Sequence, residues 1–324
     1  MIEHSAPLVS VVVPIYNEAE TVDQLLERLQ AALEPLGSYE IVLVDDCSAD
    51  ESWQRLLVHA AADERLRLLR LTRNFGHQVA ITAGLDAARG DAIVTIDGDL
   101  QDPPEVIPAL VAKWREGYDV VYGVRTEREG ETLFKRATAA SFYWLLKRVA
   151  PIEIPAQAGD FRLLSRRAAR ALAQMPERAR FLRGMSSWIG YRQTGVPYRR
   201  DARFAGSTKY PTRKMVRFAT DAITSFSSAP LRVVSGIGLF FVVFCAGYLA
   251  YTVYVKLFTS DTVQGWTTVV VLVLLLGGVQ LVSLGIVGTY IARIFEESKR
   301  RPLYLVDEVV QGGRVESVEE PQPR

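Results

Sequence analysis

"LVSVVVPIYNEAETVDQLLERLQAAL", residues 8–33, sets the reading of the fold. Up to Pro14 it is an apolar run rich in β-branched residues, the composition of a strand buried on both faces. From Asn17 the period changes. Val22, Leu25, Leu26, Leu29 and Leu33 recur at helical spacing on one face, and Asn17 with Glu20 makes a candidate capping pair. A doubly apolar strand running straight into an amphipathic helix is the opening unit of a parallel sheet covered by helices on both faces.

The same unit repeats downstream. Strands are expected at "YEIVLVDD" (39–46), "LRLLRL" (66–71), "AIVTIDGD" (92–99) and "DVVYGVR" (119–125), with helical stretches around Trp53 to Ala62, Val79 to Ala88 and Pro104 to Glu116. Open α/β sheets bind ligands beyond the carboxyl ends of their strands. Polar clusters recur there: Tyr16, Asn17 and Glu18, then Asp45 and Asp46, then Arg73 and Asn74, then Asp97 and Asp99. A generic soluble domain is expected to show one or two such ends, so the recurrence points to a site.

With 324 residues the chain can hold one full α/β domain and a smaller unit. Lys and Arg number 38 against 37 Asp and Glu, which argues against nucleic acid as the main partner. Basic residues instead thicken between Arg192 and Arg217 and from Arg293 to Arg301, on either side of a long apolar region, as anionic headgroups or phosphates would require. Cys47 and Cys245, one in a polar and one in an apolar run, make neither a disulfide framework nor a thiolate metal site. The amino-terminal residues carry no recognisable signal peptide.

Between Arg125 and Arg232 the pattern loosens into helices and Arg-rich loops. There "LFKRATAASFYWLLKRVA" reads equally as an amphipathic helix on a membrane surface or as an ordinary packed helix. Val233 to Val255 and Thr267 to about Ile291 are almost wholly apolar. As helices they would span roughly 34 to 37 Å, enough for a hydrocarbon core of about 30 Å. The connecting "KLFTSDTVQGW" is poor in basic residues. The outer flanks carry Arg213, Lys214, Arg217 and Arg232 before, and Arg293, Lys299, Arg300 and Arg301 after. The positive-inside rule therefore places both flanks in the cytosol. The organisation expected is a cytosolic catalytic domain (1–210), a juxtamembrane amphipathic segment (211–232), two transmembrane helices (233–294) and a cytosolic tail (295–324) to which no role is assigned. Gly277, Gly278, Gly285 and Gly288 would suit close packing, within the hairpin or between copies.

Asp97 and Asp99 flank a single glycine at a strand end, so both carboxylates can point one way with little bulk between them. Such a pair suits Mg²⁺ or Mn²⁺, whose remaining positions are filled by phosphate oxygens and water. "DGDLQDPPE" also contains turn chemistry, and a turn whose aspartates cap the next helix fits the same residues.

"VSVVVPIYNEAE", "IVLVDDCSADES", "RNFGHQVAITAGLDAARGD" and "TIDGDLQDPPE", in this order and spacing, resemble family 2 glycosyltransferases of the A-type fold. Within them, the chain is similar to the branch of dolichol-phosphate mannose synthase and the bacterial polyprenyl-phosphate glucosyltransferases, over roughly residues 8 to 301. The resemblance implies a nucleotide-diphospho-sugar transferase A-type domain, Rossmann-like and mostly parallel, with a C-terminal transmembrane hairpin. It implies a nucleotide-sugar site at Pro14, Tyr16, Glu18, Asp45, Asp46, Arg73 and Asp97, and a metal held by Asp97, Asp99 and Gln101. Asp160, in "AGDFRLLSRRA", corresponds to an active-site aspartate, a base or an orienting residue, and is catalytic together with the metal-holding Asp99. Arg125, Arg136, Ser141, Arg203 and Lys209 correspond to residues meeting the acceptor phosphate or the diphosphate. Arginine suits that task, because two highly charged groups must approach and its planar fork grips phosphate with two bonds.

The reaction implied is inverting, metal-dependent transfer of a hexosyl group to undecaprenyl phosphate in the bacterial inner membrane, with UDP-glucose the donor favoured by analogy and GDP-mannose the alternative. Its product would serve cell-envelope glycosylation such as lipopolysaccharide modification, and relatives point to a homo-oligomer, a tetramer among the candidates. A processive polysaccharide synthase would carry Q-x-x-R-W where "FLRGMSSWIGY" stands. A dinucleotide oxidoreductase would carry G-x-G-x-x-G where "PIYNEAE" stands. A non-enzymatic nucleotide-sugar sensor could dispense with the metal aspartates, and this chain keeps both.

Overall fold

The computed structural model describes residues 8–126, 158–200, 229–258 and 265–316. Strand β1 (Val9–Ile15) is buried at every position and pairs in parallel with β2 (Tyr39–Asp45) on one side and β4 (Ala92–Thr95) on the other. Strand β3 (Leu66–Leu71) extends the parallel set beyond β2. Pro14 sits inside this central strand without breaking the ladder. Residues 12 and 14 face the β4 side, where Val12 O accepts from Ile96 N, and the β4 pairing ends at Val12–Thr95, so the missing N–H at Pro14 costs no bond.

Helices cover both faces. Helix α1 (Val22–Leu33) buries Val22, Leu25, Leu26, Leu29 and Leu33, the face its spacing predicts, in one core with Val9, Val11, Val13 and Ile15. Helices α2 (Ser52–Ala62) and α4 (Ile107–Arg115) add Trp53, Leu56, Ile107 and Leu110 to that core. On the opposite face lies α3 (His77–Ala87), whose Gly84 packs so closely that a Cβ there would stand 2.2 Å from Val12 Cγ1. The expected capping pair does not form. The N-cap position of α1 is Thr21, and the Asn17 side chain instead accepts from Ala49 N at 2.8 Å.

The stretch read as helices and loops after Arg125 contributes two strands. Beyond β5 (Val120–Arg125), strand β6 (Ala158–Ser165) inserts antiparallel between β5 and β4, and β7 (Gln193–Tyr198) pairs parallel to β5. Short helices α5 (Arg166–Gln174) and α6 (Leu182–Trp188) lie between them. Sequence periodicity missed β6 because "AGDFRLLS" places buried charges, Asp160 and Arg162, among its apolar residues.

The tail also joins the sheet. Strand β8 (Val306–Gln311) pairs antiparallel with the exposed edge of β3 and turns into β9 (Arg314–Glu316), giving the order β7-β5-β6-β4-β1-β2-β3-β8-β9. Val310, 2% exposed, belongs to the core. Among the described residues, the α/β unit therefore takes in 301–316, within the 295–324 stretch that the sequence reading set apart.

The second unit contains helices α7 (Ala229–Phe258) and α8 (Trp266–Ser298). Their apolar stretches, Ala229–Val255 and Val271–Ser298, have mean hydropathies of 2.2 and 2.4 and are long enough to cross a membrane. Among the described residues, a Cβ at Gly277, Gly278, Gly285 or Gly288 would meet nothing within 4 Å.

Candidate active site

The polar clusters predicted at the strand ends converge. Three of the four positive-φ non-glycine residues among the described ones, Asn17, Cys47 and Leu100, stand just beyond β1, β2 and β4. Backbone held in that sparsely populated region clusters at functional sites. The loops brace one another: Asn17 N donates to Ser48 Oγ at 3.0 Å, Glu18 N to Ser52 Oγ at 2.9 Å, and Thr21 Oγ1 to Gly98 O at 3.1 Å.

Pro14 is buried beneath this floor, and Tyr16 lies 48% exposed at its rim. Asp45 is fully buried, accepts from Ser48 N and lies 3.7 Å from Arg70 Nε; burial pushes its carboxyl up. Asp46 accepts from Phe75 N and Gly76 N at 2.7 and 2.8 Å, so it fixes the loop that carries Arg73. Arg73 itself is exposed, its guanidinium 4.2 Å from the centre of the Phe75 ring.

At the end of β4, Gly98 lets the "DGD" turn press against β1. A Cβ there would lie 2.9 Å from Ile15 Cδ1 and 3.2 Å from Pro14 O. Asp99 Oδ1 accepts from Gln101 N at 3.2 Å, which realises part of the turn chemistry. Asp97 behaves differently. Its Oδ1 is buried and makes no hydrogen bond; the nearest cation is His77 Nε2 at 3.3 Å. Among the described residues no three His, Cys, Asp or Glu groups gather as a closed metal cage. Two hard carboxylates, one with an unsatisfied oxygen, beside the Gln101 amide fit a Mg²⁺ or Mn²⁺ that draws its remaining oxygens from phosphate and water.

Asp160, 8% exposed on β6, is the most heavily bound carboxylate here. Arg183 Nε and Nη2 reach its two oxygens at 2.9 and 3.0 Å, Gln78 Nε2 donates to Oδ2 at 3.1 Å, and His77 Nε2 lies 3.6 Å away. Burial works against its charge. The neighbouring His77 imidazole and the Arg183 guanidinium outweigh that and hold Asp160 well below the usual carboxylate range. Burial likewise opposes the charge on His77, but the Asp160 and Asp97 carboxylates beside it push it up to about 10. Gln78 Oε1 in turn accepts from Leu182 N at 3.0 Å, linking α3 to the start of α6.

Arg125 leaves the end of β5 and lies against Gly159, where a Cβ would stand 2.7 Å from its Nη2. Its Nε donates to Tyr198 Oη at 3.2 Å, and its Nη2 is 3.6 Å from Asp102 Oδ2. Arg136, Ser141, Arg203 and Lys209 lie outside the described residues. Sequence reasoning passed over His77, Gln78, Asp102, Arg183 and Tyr198. His77 had a usable signal, being one of three histidines and sitting where a helix starts after β3. Arg183 and Tyr198 had none, because their partners lie 23 and 96 positions away.

Comparison with known proteins gives the family of the chain. Residues 10–173 match the family model Glycosyl transferase family 2, and residues 229–294 match the GtrB C-terminal hairpin. The uncharacterized glycosyltransferase YkcC of Bacillus subtilis is 47% identical over 92% of both chains. A prophage bactoprenol glucosyl transferase homolog of Escherichia coli is 40% identical, covering 93% of this chain and 99% of its own. The bactoprenol glucosyl transferase of Shigella phage SfV is 41% identical over 92% and 97%. Among solved structures, mannosyl-3-phosphoglycerate synthase from Rubrobacter xylanophilus overlaps 67% of this chain and 72% of its own at 19% identity, with a TM-score of 0.48. The class is thus a glycosyltransferase built on a nucleotide-sugar transferase A-type domain with an apolar helical hairpin. Within that class, the chain belongs to glycosyl transferase family 2.

Proposed function

We propose that this enzyme transfers glucose from UDP-glucose to undecaprenyl phosphate, with inversion at the anomeric carbon, at the cytosolic face of the bacterial inner membrane. The observation that carries the reading is the likeness to bactoprenol glucosyl transferases, which extends through catalytic domain and hairpin alike. The lipid-linked glucose would then serve cell-envelope glycosylation, including modification of lipopolysaccharide.

Pro14, Tyr16, Glu18, Asp45, Asp46, Arg73 and Asp97 form the nucleotide-sugar site in this reading, with Asp97, Asp99 and Gln101 holding Mg²⁺ or Mn²⁺. When bound, the cation supplies positive charge to the departing diphosphate. A phosphomonoester has its second ionisation near pH 6, so the acceptor is already largely a dianion in the cytosol. A strong general base is unnecessary. Asp160 is ill suited to be one, since a carboxylate held so firmly ionised has little affinity for a proton. It orients the donor sugar against Arg183 and His77. Arg125 receives the acceptor phosphate, and Arg136, Ser141, Arg203 and Lys209 complete that site.

The pairing of β8 with β3 supports the membrane topology. One sheet takes in both β7, which precedes the apolar hairpin in the chain, and β8, which follows it, and this supports a reading in which both basic flanks lie in the cytosol. Assembly into a homo-oligomer, a tetramer among the candidates, is part of the same reading.

Detergent-purified protein given radiolabelled UDP-glucose, Mg²⁺ and undecaprenyl phosphate should yield lipid-extractable label that needs the lipid phosphate. Label from GDP-mannose alone would reassign the donor, and label from neither would overturn the reading.

A further inference from the structure

Asp102, the last carboxylate of "DGDLQD", is fully buried and accepts from Tyr198 Oη at 2.5 Å. Two guanidinium groups reach it, one at the end of β5 and one just beyond the end of β7. Arg125 Nη2 lies 3.6 Å from Oδ2 and Arg200 Nε 3.3 Å from Oδ1, both within ion-pair reach. Neither contact is aligned as a hydrogen bond: Asp102 Oδ2 and Arg200 Nε are both buried and unsatisfied. The two arginine side chains keep 23% and 30% of their surface open.

Two arginines left to themselves would repel and separate. A buried carboxylate between them holds both guanidinium groups near one point, and their open surfaces can close on a group with more than one acceptor oxygen. The tyrosine hydroxyl fixes the carboxylate, and Tyr198 is itself fixed edge-on against Phe161, with ring centres 5.5 Å apart. Asp102 itself sits in the same loop as Asp97 and Asp99.

We infer that Arg125 and Arg200 form a two-guanidinium receptor for a phosphomonoester, with Asp102 as the positioning residue that holds them convergent. The inference rests on the proposed lipid-phosphate acceptor and adds Arg200 and Asp102 to its binding site. Preorganised forks bind a dianion without first losing side-chain freedom.

The test uses full-length protein in detergent with farnesyl phosphate as a short polyprenyl phosphomonoester, its affinity read by ³¹P NMR titration, beside the affinity for UDP-glucose. Arg200→Gln and Asp102→Asn should each weaken farnesyl phosphate about tenfold or more, the size of one charge-assisted contact, and raise the acceptor KM in step. Affinity for UDP-glucose should stay unchanged, and Arg200→Lys should recover part of the loss. Arg200 is partly open to solvent, so its variants test the receptor even if Asp102→Asn fails to fold. Equal loss for both ligands, or no loss for farnesyl phosphate, overturns the receptor. If Arg200→Gln turns over lipid phosphate with an unchanged KM, the receptor falls and the proposed function stands. If farnesyl phosphate binds through Arg200 but no glucose is transferred, the receptor stands and the donor reading falls.

Discussion

Arg183 grips Asp160 with two parallel bonds, Nε to Oδ1 at 2.9 Å and Nη2 to Oδ2 at 3.0 Å, across the gap between α6 and β6. With both oxygens engaged, this carboxylate anchors α6, and in the proposed reading it orients the donor sugar. Asp160→Asn should leave metal-dependent nucleotide binding intact while lowering turnover. Arg183→Gln should do the same and also destabilise the fold, by about 3–5 kcal/mol, because a nearly buried charge loses its partner. Thermal melts and equilibrium binding of UDP check both; loss of nucleotide binding in Asp160→Asn would refute the assigned role.

The same ion pair makes stability depend on pH. Asp160 is held below its unfolded value, near 3.9 for a free aspartate, so the unfolded chain binds the proton first on acidification. Its contribution is complete above about pH 5 and is lost progressively as pH falls through and below about 4. Melting temperatures from pH 7 down to pH 3 should drop more steeply for the wild type than for Asp160→Asn. Parallel curves would contradict the depressed ionisation.

Gly159 makes room for Arg125. In Gly159→Ala the new Cβ would meet Nη2 at 2.7 Å, the far end of a flexible side chain, so the fold survives and the guanidinium moves. The acceptor KM should rise about tenfold, the worth of one displaced charge-assisted contact, while the melting temperature changes little. Steady-state kinetics with varied undecaprenyl phosphate tests this.

Removal of residues 303–324 should expose the β3 edge and empty the place of Val310, which is 2% exposed. Loss of one buried valine alone costs about 1.5–3 kcal/mol, and an uncovered edge invites aggregation. Val310→Asp should reproduce most of the effect at full length. An unchanged melting temperature in both would mean that β8 contributes nothing to the domain.

How much of this was legible beforehand follows from where the signals lie. The five strands from β1 to β5 and the helices between them announce themselves by local periodicity, and the polar residues closing each strand mark the site. Strand β6 hides because Asp160 and Arg162 are buried by partners brought from α3 and α6, and charged residues in a short run read as loop. Strand β8 hides because its carboxylates Asp307 and Glu308 suggest an acidic tail, while the edge it completes was formed more than two hundred residues earlier. Asp97 and Asp99 could be singled out from spacing alone. The opposite fates of Asp97 Oδ1, unsatisfied, and Asp46, fully engaged by the Phe75 and Gly76 amides, needed the fold.

The central claim is tested most directly by nucleotide release. Detergent-purified protein with Mg²⁺ or Mn²⁺ and undecaprenyl phosphate, offered a panel of UDP- and GDP-sugars, should release UDP from UDP-glucose only when lipid and metal are present. Asp99→Ala should release none. Release that persists without lipid phosphate, or undiminished in Asp99→Ala, would contradict the account.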